Sequence, residues 1–232
     1  MRTLERALGL LVLSSSTGNL LVDKESDIEK VISSSDRIVS IHSEDEDIIK
    51  LRKKFIKKGD VHSHAEWRNV EVAMSSTRRV VKIAERYNKK IHVLHVTTRE
   101  EVDFLAMHKK NVTFETTPQH LTMYAPNCYD KLGTYAQMNP PLRTKEHYDR
   151  LWVAIKNDIV DVLGSDHAPH LKENKDKEYV PWTESLVNKL ARLSRSPSPP
   201  GRTTIALRRI TSPLLVRSIS RRAMSRPIRP KP

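Results

Sequence analysis

Apolar runs too short for helices, each ending on a polar residue and each followed by a helix-length amphipathic stretch, constrain this chain more than any other feature. LLVL (10–13) runs into SSSTGN, RIVSIHSED (37–45) ends its apolar part on His42, and KIHVLHVTT (90–98) ends on His95. NVTFETTP (111–118) carries Glu115, and IVDVLGSD (159–166) closes on Asp166. Helical patterns lie between them: DIEKVISS (27–34), EDIIKLRKKFIKKG (46–59) with a Gly stop, VEVAMSSTRRVVKIAERYNKK (70–90), 98–109 and, after a long loop, 146–157. Short buried strands alternating with helices call for βα units and a parallel sheet, an α/β fold. In a (β/α) barrel the reactive groups stand at the C-terminal strand ends. The serines at 14–16, His42, His95, Glu115 and Asp166 fall there. Five strands can be counted, whereas a closed barrel needs eight strands and about 250 residues. A partial TIM-like barrel is therefore expected.

Charge divides the chain at residue 184. The formal charge is +13, but 12 of the 41 Lys and Arg lie beyond Glu184, the last acidic residue. That leaves 29 basic against 28 acidic residues over 1–184, a net of +1. Basicity belongs to residues 185–232, which hold seven of the 13 prolines, no acid and no sustained period. This segment is expected to be a disordered basic tail following an incomplete domain over 1–184. No aromatic residue alternates with its arginines, so nucleic-acid recognition by stacking is not expected.

A single cysteine, Cys128, excludes an internal disulfide framework and fits a reducing, cytoplasmic compartment. The longest apolar run, ALGLLVL (7–13), is far too short to span a bilayer. Arg2 and Arg6 precede it as in a signal peptide, but Glu5 interrupts and no clean cleavage site follows.

His42, His95 and Asp166 would share one cup at the strand ends. Two neutral imidazoles and a carboxylate suit zinc or another borderline divalent ion. Metal-bound water is acidified towards neutrality, and a carboxylate beside it can take its proton and pass it to a leaving amine. The plainer alternative is that each histidine is satisfied by backbone at a strand end.

The order and spacing of SSSTGNLLVD (14–23), IHSEDED (41–47), LHVTT (94–98), ETTPQHL (115–121), QMNPPLR (137–143) and GSDHAPH (164–170) resemble a class I dihydroorotase of the cyclic amidohydrolase superfamily. The resemblance covers residues 10 to about 181 and implies strands 4 to 8 of a metal-dependent (β/α) barrel. It implies the reversible hydrolysis of dihydroorotate to carbamoyl aspartate, a step of pyrimidine biosynthesis, with two zinc ions in an intact site. By position, His42 and His95 correspond to ligands of the second metal, and Asp166 to the metal-ligating general acid/base. Asn139 and His170 correspond to substrate-binding positions, Asn suited to the ring amide and His to the substrate carboxylate.

Two family features have no counterpart here. Nothing before residue 10 supplies the first-strand His-x-His pair, and the bridging Lys or Asp position is Leu10. Beyond residue 184 the basic tail replaces the family's Gly-rich substrate loop. The expectation is a chain truncated and altered at both ends, in an inactive or incomplete form. The alternative is a non-catalytic remnant or interaction module needing a complementing barrel fragment or a second copy.

Other histidines are expected to lie outside the cup. HSH (62–64) imitates a ligand pair but reads as exposed loop, and His167 alternates away from Asp166. His120 is left between a role supporting the ligands and a structural one, both ahead of ligation, while His92 is expected half-buried and His108 and His147 on helix surfaces. Cys128 is expected in a loop, without a chemical role.

Overall fold

The structure, a computed structural model, describes residues 10–12, 22, 24–167, 172–176, 178 and 208–209. The apolar runs form β1 (Leu10–Val12), β2 (Val39–His42), β3 (Ile91–Val93), β4 (Val112–Thr116) and β5 (Val162–Leu163), joined by β6 (Arg208–Arg209). They lie in sequence order in one sheet, parallel from β1 to β5 and antiparallel between β5 and β6.

Parallel neighbours need a crossover at each step, and helices supply it. The first crossover contains α1 (Glu25–Ser34), and the second α2 (Glu46–Leu51), α3 (Ser63–Trp67) and α4 (Val70–Arg86). The third holds α5 (Arg99–Ala106), and the fourth α6 (Pro118–Thr122), α7 (Asn127–Leu132) and α8 (Lys145–Lys156). The short α9 (Lys172–Lys175) follows β5. No helix among the described residues is long and apolar enough to cross a membrane.

Register sorts the side chains into two faces. Ile41, Val93 and Phe114 are aligned, as are Val39, Ile91 and Val112. Alternation puts these six on one face. They are buried against Ile28 and Ile32 of α1, Val80 and Ala84 of α4, Leu105 of α5 and Leu151 of α8. Each such buried Ile, Leu or Phe stabilises the fold by roughly 1.5–3 kcal/mol. The opposite face carries Ser40, His92 and Thr113 in register. That polar face would line a barrel interior, and His42 and Glu115 continue it to the C-terminal strand ends.

Several expectations are corrected. Residues 46–59 are not one helix: α2 stops at Leu51, a 3-10 turn covers Arg52–Phe55, and Gly59 has φ of 78°. The cause is tertiary, because the Arg52 guanidinium donates to the Glu66 and Trp67 carbonyls at 2.7–3.2 Å and ties this turn to α3. The long loop after β4 contains α6 and α7. The strand in the run 159–166 is limited to Val162 and Leu163, flanked by the Asp161 and Gly164 amides donating to the Phe114 and Thr116 carbonyls at 3.1 and 3.0 Å, and the Asp161 carboxylate also accepts from the Phe114 amide at 2.9 Å. Apart from these corrections, Arg208 and Arg209 are the described residues within 185–232, and they pair antiparallel with Leu163 and Val162 of β5. The rest of that segment lies outside the described residues.

Candidate active site

The strand-to-helix turn after β2 builds the first part of the site. Asp45 caps α2, its carboxylate accepting from the Asp47 and Ile48 amides at 3.1 and 3.2 Å. Glu44 beside it has no exposed surface. Its carboxylate accepts from Arg68 Nε at 3.1 Å and Nη2 at 2.6 Å, and faces His42 Nε2 at 3.0 Å. Burial by itself would raise the Glu44 carboxyl. The Arg68 charge and the hydrogen bonds from His42 and Arg68 outweigh it and hold the group well below the usual carboxylate range. An ionised carboxylate only accepts, so His42 Nε2 carries the hydrogen. In the neutral ring, Nδ1 is then left with its lone pair.

That lone pair faces His95. Nδ1 of His42 and Nε2 of His95 are 2.8 Å apart, with the rings edge to face. His95 follows β3 and Asp166 follows β5, with φ of 36° and 42°. Left-handed backbone in a non-glycine residue costs on the order of 1 kcal/mol or more. Here it occurs at two strand ends whose side chains were expected to do chemistry. The backbone around His95 is pinned on both sides, the Leu94 amide donating to Ile41 O at 3.0 Å and the Val96 amide to Glu115 O at 2.8 Å. Burial, then the neighbouring His42, push the His95 ring below the ordinary imidazole value, while Asp166, Glu115 and Glu44 pull the other way. Its Nδ1 is buried and has no hydrogen-bond partner among the described residues. Asp166 is half-buried and acts on His95 through its field, with no hydrogen bond to either histidine among the described residues.

Asn139 is buried beside the pair 62–64, which corrects the expectation of an exposed loop. His62 is exposed, as expected, and pairs with Asp130 at 3.3 Å, but His64 is fully buried. Its Nε2 lies 2.9 Å from Met138 O and 3.0 Å from Asn139 Oδ1. Burial, then the Arg68 charge, push His64 down to about 3. The buried Arg143 of NPPLR donates to Thr97 Oγ1 at 3.1 Å and to the Arg68 carbonyl. His170 lies outside the described residues.

Elsewhere, His92 is buried and not half-buried, facing Thr113 Oγ1 at 2.9 Å and Glu115 at 3.4 Å. His147 is buried too, because its Nδ1 accepts the Arg99 amide at 3.1 Å. His120 lies between Thr117 Oγ1 and Pro140 O, and His108 pairs with Glu85. Cys128 lies in α7, not in a loop, and burial pushes its thiol up to about 12, leaving it unreactive. His167 is exposed.

The sequence reading missed Glu44, His64 and Arg68. Its available signals were a run of four acids, residues 44–47, beginning two positions after a strand-end histidine, and a His and an Arg four apart on one helical face.

His42 and His95 suit a pair of imidazole ligands to one divalent ion. Among the described residues, no group of three or more His, Cys, Asp or Glu could hold an ion. The two-ion centre implied by the resemblance therefore lacks a full donor set there.

A scan against protein-family models gives no match. Individual proteins do match. The dihydroorotase of Halobacterium salinarum is 32% identical over 171 residues, which cover 73% of this chain and 39% of that protein. The dihydroorotase of Methanosarcina mazei is 30% identical over 201 residues, covering 78% of this chain and 43% of that protein. The chain is dihydroorotase-like. Its fold is also that of the L-hydantoinase from Arthrobacter aurescens, with a TM-score of 0.67 at 23% identity over 72% of this chain and 39% of that one. This dihydroorotase-like chain thus spans less than half the length of the relatives it matches, and its sheet corresponds to part of a TIM-barrel amidohydrolase.

Proposed function

We propose that this chain carries the strand 4 to 8 residues of a dihydroorotase-type site, one that interconverts dihydroorotate and carbamoyl aspartate when complete. The observation that carries this reading is the facing pair of ring nitrogens of His42 and His95, 2.8 Å apart at neighbouring strand ends. In this reading His42 and His95 would be the imidazole donors to a zinc ion and Asp166 a third ligand only once further donors complete the site; the ion would supply Lewis acidity at the amide carbonyl. Glu44 fixes the His42 tautomer and keeps its Nδ1 lone pair directed at the site. Asp166 is the proton-accepting carboxylate, and Asn139 and His170 contact the substrate. The single cysteine accords with a cytoplasmic location.

Zinc content and dihydroorotate hydrolysis, measured on the same purified sample, test the proposal. About two zinc per chain with turnover supports it and requires ligands beyond those named. Substoichiometric zinc without turnover overturns catalysis by this chain. The second reading, a non-catalytic module or a barrel part needing a complementing fragment, would then take its place. It is favoured by the lack of a three-donor group among the described residues.

A further inference from the structure

The proposed reaction assigns no role to α3, yet this single turn touches both halves of the site. Arg68, just after it, anchors Glu44 and through it His42. His64, four residues earlier, approaches Met138 O and Asn139 Oδ1 with the same ring nitrogen. A main-chain carbonyl can only accept, so this Nε2 must carry the hydrogen. The Asn139 atom that faces it must then be an acceptor, which is the amide oxygen and not the amino group. That oxygen is committed to the protein. Among the described residues, the hydrogen bond to His64 is the one that the Asn139 side chain makes, and it uses the oxygen.

We propose that His64 is a positioning residue that locks the sense of the Asn139 amide, so that Asn139 offers N–H donors to a ligand and not a carbonyl acceptor. The site then selects a carbonyl or carboxylate oxygen at this point and disfavours a ring N–H. The inference rests on the substrate-binding role proposed for Asn139 and fixes which half of a cyclic amide that residue can meet. His64 is suited to the task because its ring is neutral over the physiological range and holds one tautomer.

Two measurements on the full chain separate this inference from the function it builds on. Nitrogen NMR without ligand is expected to show a neutral His64 ring carrying its hydrogen on Nε2, and an Asn139 amino resonance that shifts in His64→Ala. A ring protonated on Nδ1 alone, or an unmoved amino resonance, overturns the inference whatever the chain binds. Calorimetry with L-dihydroorotate in zinc-supplemented buffer is the second measurement. Asn139→Asp keeps the shape but loses the donors, and is expected to weaken binding about tenfold or more. His64→Ala is expected to weaken it by a smaller factor, and His64→Gln, which restores an N–H donor, to recover most of the loss. Undiminished binding by Asn139→Asp overturns the inference. If the unsubstituted chain does not bind dihydroorotate, the proposed function fails, and the NMR result alone decides the role of His64.

Discussion

A carboxylate with no water around it must be matched by donors, and Glu44 is matched by Arg68 on one side and His42 on the other. Removing one partner of such a buried pair strands the other charge, at a cost of about 3–5 kcal/mol. Arg68→Met is therefore expected to lower the urea unfolding free energy by about that much. Adding Glu44→Gln to it is expected to recover part of the loss. Equal losses for the single and double variants would mean that Glu44 finds solvent. Two other buried groups set the response to acid. His64 and His120 are each lowered from 6.5 to about 3 by burial first. Above pH 6.5 both are neutral whether folded or unfolded and add no pH dependence. As pH falls from 6.5 towards 3, the unfolded chain takes up protons that the folded one refuses, so stability falls with pH at up to about 1.4 kcal/mol per unit for each group. Between pH 6.5 and about 4.5, before the carboxylates titrate, urea midpoints should drop, and should drop less steeply in His64→Gln. A flat midpoint across that window would contradict the burial of both rings.

At the scale of elements, β4 and the run into β5 are fitted together by an absent side chain. A Cβ on Gly164 would collide with the Glu115 carboxylate, which is itself buried beside His92. Gly164→Ala is expected to destabilise by about 1–3 kcal/mol through overpacking. An unchanged urea midpoint would show that Glu115 can swing away. The strands themselves were legible in the sequence because residues such as Ile41, Val93 and Phe114 are buried by the helices that follow them, and burial of that kind leaves a local apolar run. The break after Leu51 was not legible, since it depends on Arg52 reaching carbonyls at 66 and 67. Nor was the burial of His64, whose partners lie more than seventy positions away in sequence. His42, His95 and Asp166 could be singled out as strand-end residues from pattern alone. The carboxylate behind His42 and the amide sense of Asn139 required the crossovers to be folded.

For the whole molecule, charge and fold are carried by different parts of the chain. Residues 1–184 are nearly neutral, and the remaining segment carries 12 Lys and Arg without an acid. Retention on heparin is expected to fall to a lower elution salt when residues 185–232 are removed, because counterion release scales with the number of basic contacts. Unchanged elution would move the basic surface to the lysines at 50–58. The sheet, in strict sequence order, brings its strand ends to one edge, but side chains on that edge are held by elements between the strands. α3 is the clearest case. His64 and Arg68 are separated by about 6 Å along a helix axis, and through them the asparagine and the imidazole pair are referenced to one rigid piece. A tremor in that piece displaces both together, in common mode. The gap between them is thereby insulated from the long stretch of chain that separates them in sequence.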